Sequence, residues 1–235
     1  MDIHRIKLYH YPATRSARVK WLLHELMDED FDIEVVPLYE GGQYSSDYVK
    51  KNPNHNVPML EFTLADGRTH NMLESGAMIS LLADLFPEKG LAPPPAPFST
   101  ARADYLQMLH FGSAWMDMML WQIRIHTHIL DTDKDPATVA RYEHKITAEV
   151  VPQLLARLDK HAHICGEPFT AADCVMGQNL LWARAYGVCL EDALTPYIER
   201  LTARPAFALA YADMGDFSLA PSREQGAALV TKFTG

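Results

Sequence analysis

Two short segments of the chain carry groups that can hold a peptide-like ligand. Val57 precedes Pro58, which has no N–H to donate in a sheet, so an extended ligand can pair with the backbone of Val57 as an added strand. Sixteen residues after Pro58, Glu74 and Ser75 begin an apolar helical pattern, where a hydroxyl and free N–H groups attract a carboxylate. The simpler alternative is that Ser75 only caps this helix.

The elements that must position these groups follow from the spacing of apolar residues. Alternation predicts strands, and apolar residues recurring every three or four positions predict helices. Asp66-Gly67, between two strand patterns, is a strong hairpin signal. The predicted order is βαβαββα, with strands over 5–10, 31–38, 59–64 and 69–72 and helices over 15–27, 44–51 and 74–86.

A proline-rich segment divides the chain. Residues 87–98 contain five prolines, which predict a stiff, extended connector between an α/β domain over 1–86 and an all-helical domain over 99–235. In the second part, Thr170 and Asp173 have the spacing of a capping box. Helices are predicted over about 100–130 with a bend near 112–113, about 135–162, 170–186 and 190–202, and from 203 onward to complete the bundle; the tail after Pro221 is left unassigned.

Composition limits the possible partners. With a net charge of −9 and a mean hydropathy of −0.13, the surface would repel nucleic acid and anionic membranes. No apolar leader begins the sequence and no run approaches a membrane span, which predicts a cytoplasmic protein. Cys165, Cys174 and Cys189 have no CxxC spacing and favour buried, inert thiols. No metal site is predicted from the histidines of the second part, His126, His128, His144, His161 and His163.

Four segments spread along the chain resemble the cytosolic glutathione S-transferases, in particular bacterial members of the hydroxyl (Ser/Thr) type. Residues 12–26 resemble the family's first turn and helix, and 52–58 resemble its Asn-Pro-x-Gly-Lys-Val-Pro segment. Residues 74–77 are similar to its Glu-Ser motif, and 169–173 to the capping motif of its helical domain. The resemblance implies a thioredoxin-like α/β N-terminal domain, an all-α C-terminal helical bundle and a homodimer.

The resemblance also implies how glutathione is held. The backbone N–H and C=O of Val57 would pair with the cysteinyl part, with Pro58 in the cis form. Glu74 and Ser75 would hold the γ-glutamyl end, and Gln43 falls where relatives often place a His that touches the glycyl carboxylate.

The chain departs from the family pattern just before Val57. His55-Asn56 stand in place of the usual Gly-Lys, so Asn56 takes a glutathione-binding position but the lysine that often grips the glycyl carboxylate is missing. Lys50, Lys51 and His55 are the candidate substitutes.

The implied reaction is the addition of the glutathione thiolate to a small apolar electrophile, a detoxification chemistry in which glutathione is the co-substrate and no metal takes part. Thr14, at the turn before the first helix, is the predicted donor to the thiolate, and Ser16 is the next candidate. Tyr9 or Tyr11 is a further alternative. Another interpretation makes Thr14 only a helix cap whose hydroxyl bonds the N–H of Ser16 or the following residue.

The electrophile pocket is predicted between the domains from Tyr11, His110 and Trp115, because aromatic residues suit an adaptable apolar site. The long helix that carries the last two, with Met116 and Met119, has the alternative role of packing the core or a dimer interface. Arg15 stands where cysteine-type relatives carry their Cys, which counts against redox activity. Two other functions stay open: a catalytically silent module that binds ligands or proteins, and glutathione-dependent isomerase or peroxidase activity.

Overall fold

The computed structural model of the chain describes residues 3–130 and 132–214. These residues form two compact units by contact: the first contains 3–89 and 204–214, and the second contains the described residues from 90 to 203. The sequence-based limits 1–86, 87–98 and 99–235 stay a prediction, and the tail after Pro221 lies outside the described residues.

The first unit is built on a four-stranded mixed sheet. Its strands are β1 (Ile3–His10), β2 (Asp32–Val35), β3 (Met59–Leu64) and β4 (Thr69–Met72). The strand order is β2-β1-β3-β4, with β1 parallel to β2 and the other two pairs antiparallel. β2 ends before its predicted limit at residue 38, because Pro37 has no N–H with which to extend the ladder. The β3–β4 hairpin turns at Gly67, whose φ of +82° suits glycine.

Three helices complete the βαβαββα order, which confirms the predicted thioredoxin-like fold of this part. They are α1 (Ser16–Met27), α2 (Ser46–Lys51) and α3 (Ser75–Leu85). α1 contacts both β1 and α3, and Val19, Leu22 and Leu23 on it are fully buried. Its N-terminus follows β1 directly, so the turn between them is held by the core on both sides.

The last described helix of the chain also belongs to the first unit, although the sequence assigned it to the helical bundle. α10 (Pro205–Tyr211) packs on α1, where the ring of Trp21 lies edge-on to Phe207 at 5.0 Å between centroids. At the start of α10, Arg204 donates two hydrogen bonds to Glu25, at 2.6 and 2.8 Å. Periodicity shows that such a helix has an apolar face, but it does not show which element will cover that face.

The second unit is helical, as predicted. Its helices are α4 (Thr100–His110), α5 (Asp117–Arg124), α6 (Pro136–Lys145), α7 (Val151–Leu158), α8 (Ala171–Ala185) and α9 (Thr195–Thr202). Three π-helical segments adjoin these helices: 111–116 connects α4 to α5, 125–129 extends α5, and 146–150 connects α6 to α7. No helix in the described part of the chain is both long and apolar enough to span a bilayer.

The irregularity predicted near residue 112 coincides with the first π-helical segment. The carbonyl of Gly112 accepts a hydrogen bond of 2.7 Å from the buried side chain of Asn179 on α8. A side chain that takes a carbonyl of the helical ladder is a recognised cause of such a distortion. The connector before α4 is anchored in the same unit, since the carbonyl of Leu91 accepts from the N–H of Ala171 at 2.8 Å.

Candidate functional site

The sheet register brings three loops of the first unit to one edge. Tyr9, near the end of β1, pairs with Met59 at the start of β3, and Leu60 pairs with Met72 at the end of β4. The turn after β1, the residues before β3 and the start of α3 therefore all leave the sheet at the same end. Thr14, Val57 and Ser75, predicted separately from the sequence, lie in these three loops.

Thr14 lies in the β1–α1 turn, partly exposed, with its hydroxyl directed into a small polar cluster. Its Oγ1 lies 2.8 Å from the carbonyl oxygen of Tyr11 and 2.8 Å from Oγ of Ser16. The N–H of Ser16 is 3.3 Å from the same oxygen, whereas the N–H of Ala17 bonds the backbone carbonyl of Thr14 at 3.0 Å. The alternative role of this hydroxyl as a helix cap therefore depends on a single long hydrogen bond, from the N–H of Ser16.

Ser16 lies behind Thr14 and is completely buried. Its Oγ contacts Oγ1 of Thr14 and, at 2.7 Å, Nδ1 of His10, and it donates to the carbonyl of Tyr11 at 2.9 Å or accepts from the Tyr11 N–H at 3.1 Å. With no exposed surface, Ser16 reaches a ligand only through Thr14.

The cluster continues inward to two charged residues that the sequence reasoning missed. The other ring nitrogen of the fully buried His10, Nε2, lies 3.0 Å from a carboxylate oxygen of Asp213. The ammonium of Lys20 on α1 donates to the same oxygen at 2.7 Å. His10 and Asp213 are separated by 203 positions along the chain, so no local pattern signals this contact.

Burial and pairing set the ionisation of this inner pair. Burial lowers the pKa of His10, and the hydrogen bond and charge of Asp213 only partly oppose that effect. For Asp213 partial burial favours the neutral form, but hydrogen bonds from His10 and Lys20 and their charges outweigh it and lower the pKa to about 2. At neutral pH the carboxylate is ionised and the imidazole is neutral.

The backbone of the loop before β3 is held by hydrogen bonds from two side chains in and just after α2. The carbonyl of Asn56 accepts from the hydroxyl of Tyr48 at 2.6 Å and from the side chain of Asn52 at 2.7 Å, and the latter also contacts Asn56 Oδ1 at 3.1 Å. The next peptide bond, between Val57 and Pro58, is cis, as the resemblance implied. Val57 is buried and lies just before the ladder of β3, which begins at Met59.

The residues predicted to hold the ends of glutathione occupy two further positions. Glu74 is exposed and has a φ of 73°, a left-handed value that is uncommon for a residue with a Cβ and often found at functional sites. Ser75 follows as the first residue of α3, where the backbone N–H groups lack helical partners. Gln43 is buried, and within the described residues its side-chain oxygen has no hydrogen-bond partner.

Two of the three candidate substitutes for the missing lysine, Lys51 and Lys50, are engaged elsewhere. Lys51 donates to Tyr9 and Glu61, at 2.5 and 2.8 Å, and these hydrogen bonds raise its pKa. Lys50 pairs with Asp47 at 3.1 Å on the surface. Tyr9 itself is buried in this cluster, whereas the predicted pocket residue Tyr11 is partly exposed beside Thr14.

The predicted electrophile residues of the second unit have different environments. His110 is exposed at the end of α4, and Trp115 is 40% exposed, with the ammonium of Lys145 lying 4.7 Å from its ring centroid. Met116 and Met119 are fully buried and pack the core of that unit. The assignment of His110 and Trp115 to a pocket stays a prediction.

The described residues contain no grouped set of metal-ligating side chains, and their cysteine thiols are buried or partly buried. Across 3–130 and 132–214, no three His, Cys, Asp or Glu side chains are grouped as a metal site would require. Cys174 and Cys189 are buried and Cys165 is partly buried. Burial raises the pKa of the Cys165 and Cys189 thiols to about 12, which makes them poor nucleophiles.

The fold and the polar edge define a thioredoxin-like domain coupled in one chain to a helical unit, and comparison with known proteins identifies the family. Residues 4–80 match the model of the glutathione S-transferase N-terminal domain, and 114–205 match that of the C-terminal domain. Because these matches span most of the chain, it belongs to the glutathione S-transferase family.

The individual relatives share little sequence identity with this chain. The chain is 27% identical over 217 residues to the disulfide-bond oxidoreductase YfcG of Escherichia coli K12, covering 90% of this chain and 97% of that protein. A glutathione transferase, URE2P8 of Phanerochaete chrysosporium with oxidised glutathione, aligns with a TM-score of 0.76 at 20% identity, over 92% of this chain and 97% of that one. A sphingomonad glutathione S-transferase complexed with glutathione aligns with a TM-score of 0.73 at 24% identity, over 89% and 98%. At this identity the two structures support the fold.

Proposed function

We propose that the protein is an enzyme that conjugates the glutathione thiolate to small apolar electrophiles. The observation that carries the proposal is the convergence of Thr14, Val57 and Ser75 at one edge of the sheet. The backbone beside Val57 pairs with the cysteinyl part of glutathione, which brings the sulfur toward the turn of Thr14. The start of α3 then receives the γ-glutamyl carboxylate, where a helix N-terminus favours negative charge.

The chemical task of the site is to ionise a thiol. A free thiol with a pKa near 8.5 is about 3% ionised at pH 7, and lowering the pKa to about 6.5 makes it roughly three-quarters ionised. That change requires about 2.7 kcal/mol of preferential stabilisation of the thiolate. A hydrogen bond from a hydroxyl to an anion contributes about 1.5–3 kcal/mol, so donation from the Thr14 hydroxyl, aided by the adjacent end of α1, is of the size required.

The glycyl end of glutathione is held without the family's lysine. Gln43 is the proposed contact, because its buried amide is placed in the loop before α2. A neutral amide stabilises a carboxylate less than an ammonium does. Weaker binding of glutathione than in relatives with the lysine is therefore expected.

The test compares Thr14→Val with Thr14→Ser. Valine keeps the shape of the side chain and removes the hydroxyl, so the pKa of bound glutathione should rise by about one to two units, and conjugation at neutral pH should fall about tenfold or more. Serine keeps the hydroxyl and should retain most of the activity. The substrates would be a panel of halogenated compounds, epoxides, enones and peroxides. Unchanged conjugation by the valine variant, with glutathione still bound, would remove Thr14 from this role.

A second candidate function is the reduction of disulfide bonds by glutathione, which the name of the E. coli relative favours. Residues 1–89 contain no cysteine, so both sulfur atoms needed to reduce a disulfide would come from two glutathione molecules, released as oxidised glutathione. Because Arg15 stands where cysteine-type relatives carry their Cys, this function would proceed without a protein thiol at that position. Measuring oxidised glutathione with a disulfide as the only other substrate separates the two functions, since conjugation does not produce it.

The assembly and location belong to the same proposal. The enzyme is proposed to be a cytoplasmic homodimer, and His110 and Trp115 of the second unit are proposed to bind the electrophile. Sedimentation velocity tests the dimer. His110→Ala and Trp115→Ala should change the KM for the electrophile more than the affinity for glutathione.

A further inference from the structure

The Thr14 hydroxyl has one proton and two inward acceptors. The carbonyl oxygen of Tyr11 and Oγ of Ser16 both lie 2.8 Å from its Oγ1. A hydroxyl that donates to either of them presents only a lone pair outward. In that arrangement Thr14 could accept a proton from a thiol but could not donate to a thiolate, so the direction of the hydrogen bonds in the cluster decides what the site does.

That direction is set by His10. The ionised carboxylate of Asp213 can only accept, so the neutral imidazole must carry its proton on Nε2, the atom 3.0 Å away. Nδ1 is then an acceptor, and the hydroxyl of Ser16, at 2.7 Å, must donate to it. The carbonyl of Tyr11 and Oγ of Ser16 are then both left to accept from Thr14. The resting site therefore points its hydroxyl protons inward.

We propose that His10 takes up the thiol proton of glutathione through Ser16 and Thr14, and that Asp213 holds the resulting imidazolium. The proposal rests on the function proposed above and specifies where the proton of the thiol goes. His10 does not touch the sulfur, so it is a positioning residue that acts through two hydroxyls. Thr14 remains the group in contact with the ligand.

The step balances in atoms and charge. The S–H bond breaks and its proton joins Oγ1 of Thr14, the proton of Thr14 passes to Oγ of Ser16, and the proton of Ser16 passes to Nδ1 of His10. The sulfur keeps its electron pair, so a thiolate and an imidazolium replace a thiol and an imidazole. Every hydroxyl now points outward, and Thr14 donates to the thiolate it has created. The proton returns by the same route, or is lost to water, once the sulfur has formed its new bond.

The charges around His10 suit this role. In the described part of the chain, two charged groups act on the imidazole: Asp213, from the segment after α10, and Lys20, from α1. Burial keeps the imidazole neutral before the reaction, so that it can accept a proton. Asp213 then lies next to the new positive charge and stabilises it. In the resting state the positive charge of Lys20 opposes the effect of Asp213 and helps to keep the pKa of His10 low.

The same three residue types form the nucleophilic triad of many hydrolases, but the geometry here differs. Oγ of Ser16 has no solvent-exposed surface, whereas a nucleophilic serine must reach a substrate carbonyl. Ser16 is also enclosed by Thr14 and the backbone of Tyr11. Its place in the cluster fits passage of a proton between neighbours and does not fit attack on a substrate.

The test measures the thiol pKa of bound glutathione from the ultraviolet absorbance of the thiolate. His10→Gln preserves both hydrogen bonds, because the amide can donate to Asp213 and accept from Ser16, but it takes up no proton. Asp213→Asn removes the charge that holds the imidazolium. The matched control is Glu25→Gln, which weakens the Glu25–Arg204 contact between α1 and α10 and leaves the cluster intact.

Both cluster variants should raise the thiol pKa by about one unit, which is about tenfold less thiolate well below that pKa, and the Glu25 control should not. Binding of S-methylglutathione, which has no thiol proton, should stay within about twofold in all three. In the wild-type protein, glutathione should raise the pKa of His10 measured by NMR, because each thiolate formed places a proton on the ring, and S-methylglutathione should not. The NMR comparison needs no variant and stands if His10→Gln fails to fold.

The outcomes separate this inference from the proposed function. If Thr14→Val raises the thiol pKa but His10→Gln and Asp213→Asn leave it at the wild-type value, the route to His10 is refuted and the role of Thr14 stands. If Thr14→Val also leaves the thiol pKa unchanged, the proposed function fails and the inference fails with it. A His10 resonance that responds equally to glutathione and S-methylglutathione likewise overturns the proton transfer.

Discussion

The carboxylate of Asp173 is fully buried in the second unit, and each of its oxygens accepts two hydrogen bonds. One accepts from the N–H and the hydroxyl of Thr170, at 2.8 and 3.0 Å. The other accepts from the N–H of Ile164 at 3.0 Å and from the hydroxyl of Tyr197 at 2.7 Å. Burial raises the pKa of Tyr197 well above its usual value, so this hydroxyl stays a donor. Asp173 therefore ties the start of α8 to the preceding loop and to α9.

Substitution of Asp173 should lower the free energy of unfolding by far more than an ordinary change of a helix-capping residue does. In Asp173→Ala the hydroxyl of Thr170 can turn to another partner, but two N–H groups and the Tyr197 hydroxyl stay buried without an acceptor. At about 1–3 kcal/mol for each such group, the loss is about 3–9 kcal/mol, against a total stability of about 5–15 kcal/mol. Asp173→Asn keeps the shape but turns an NH2 group toward one pair of donors, so about half of that loss is expected.

Urea denaturation followed by circular dichroism measures these differences. Tyr197→Phe is the matched control, because it removes one donor and leaves the carboxylate with three others, for a loss of about 1 kcal/mol. The midpoints should fall in the order wild type, Tyr197→Phe, Asp173→Asn, with little folded helical unit in Asp173→Ala. Equal midpoints for Asp173→Asn and Tyr197→Phe would refute the reasoning. The loss of the acceptor for a pair of donors would then cost no more than the loss of a single donor.

Three further predictions concern single positions. Gly112→Ala should destabilise the protein by about 1–3 kcal/mol, because the new Cβ would lie 2.9 Å from Cγ1 of Val175. Urea midpoints check this, and the same substitution should lower the midpoint much less in a Val175→Ala background, compared with Val175→Ala alone, if the contact is the cause. Glu74→Gly should raise the melting temperature, by relieving a φ of 73°, and weaken glutathione binding in calorimetry. A lower melting temperature would contradict the inferred strain. Because the pKa of Asp213 is lowered from 3.8 to about 2, its stabilising effect should be complete above its usual pKa and disappear as the pH falls toward 2. Asp213→Asn should flatten this acid dependence in a fluorescence titration, and an unchanged acid midpoint would count against it.

Much of the fold could be predicted because its signals are local and agree with one another. The capping box of Thr170 and Asp173 forms as expected, with the N–H of Thr170 donating to the Asp173 carboxylate. The hairpin at Asp66-Gly67 turns where the sequence placed it. These features depend on residues within a few positions of each other, and turn chemistry, caps and periodicity are all properties of such short segments.

What could not be predicted depends on contacts between distant segments. The docking of α10 on α1 requires knowledge that Trp21 has room for Phe207, and periodicity marks an apolar face without naming its partner. Of the cluster of Thr14, Ser16 and His10, only the two hydroxyl residues could be predicted, because they lie in a recognisable turn. His10, however, reads in the sequence as the polar end of a strand, and nothing near it points to Asp213.

The association of His10, Asp213 and Lys20 is difficult to explain by stability alone. Removing Lys20 and His10 from water is costly, whereas the carboxylate of Asp213 beside them is only partly buried. The segment that carries Asp213 is already held in place by the aromatic contacts of Trp21 with α10, which bury large apolar surfaces without that cost. The position of Asp213 against a buried imidazole is therefore more than docking requires. A carboxylate at that place has one clear consequence: it fixes the tautomer of His10, and through Ser16 it fixes the direction in which the Thr14 hydroxyl points.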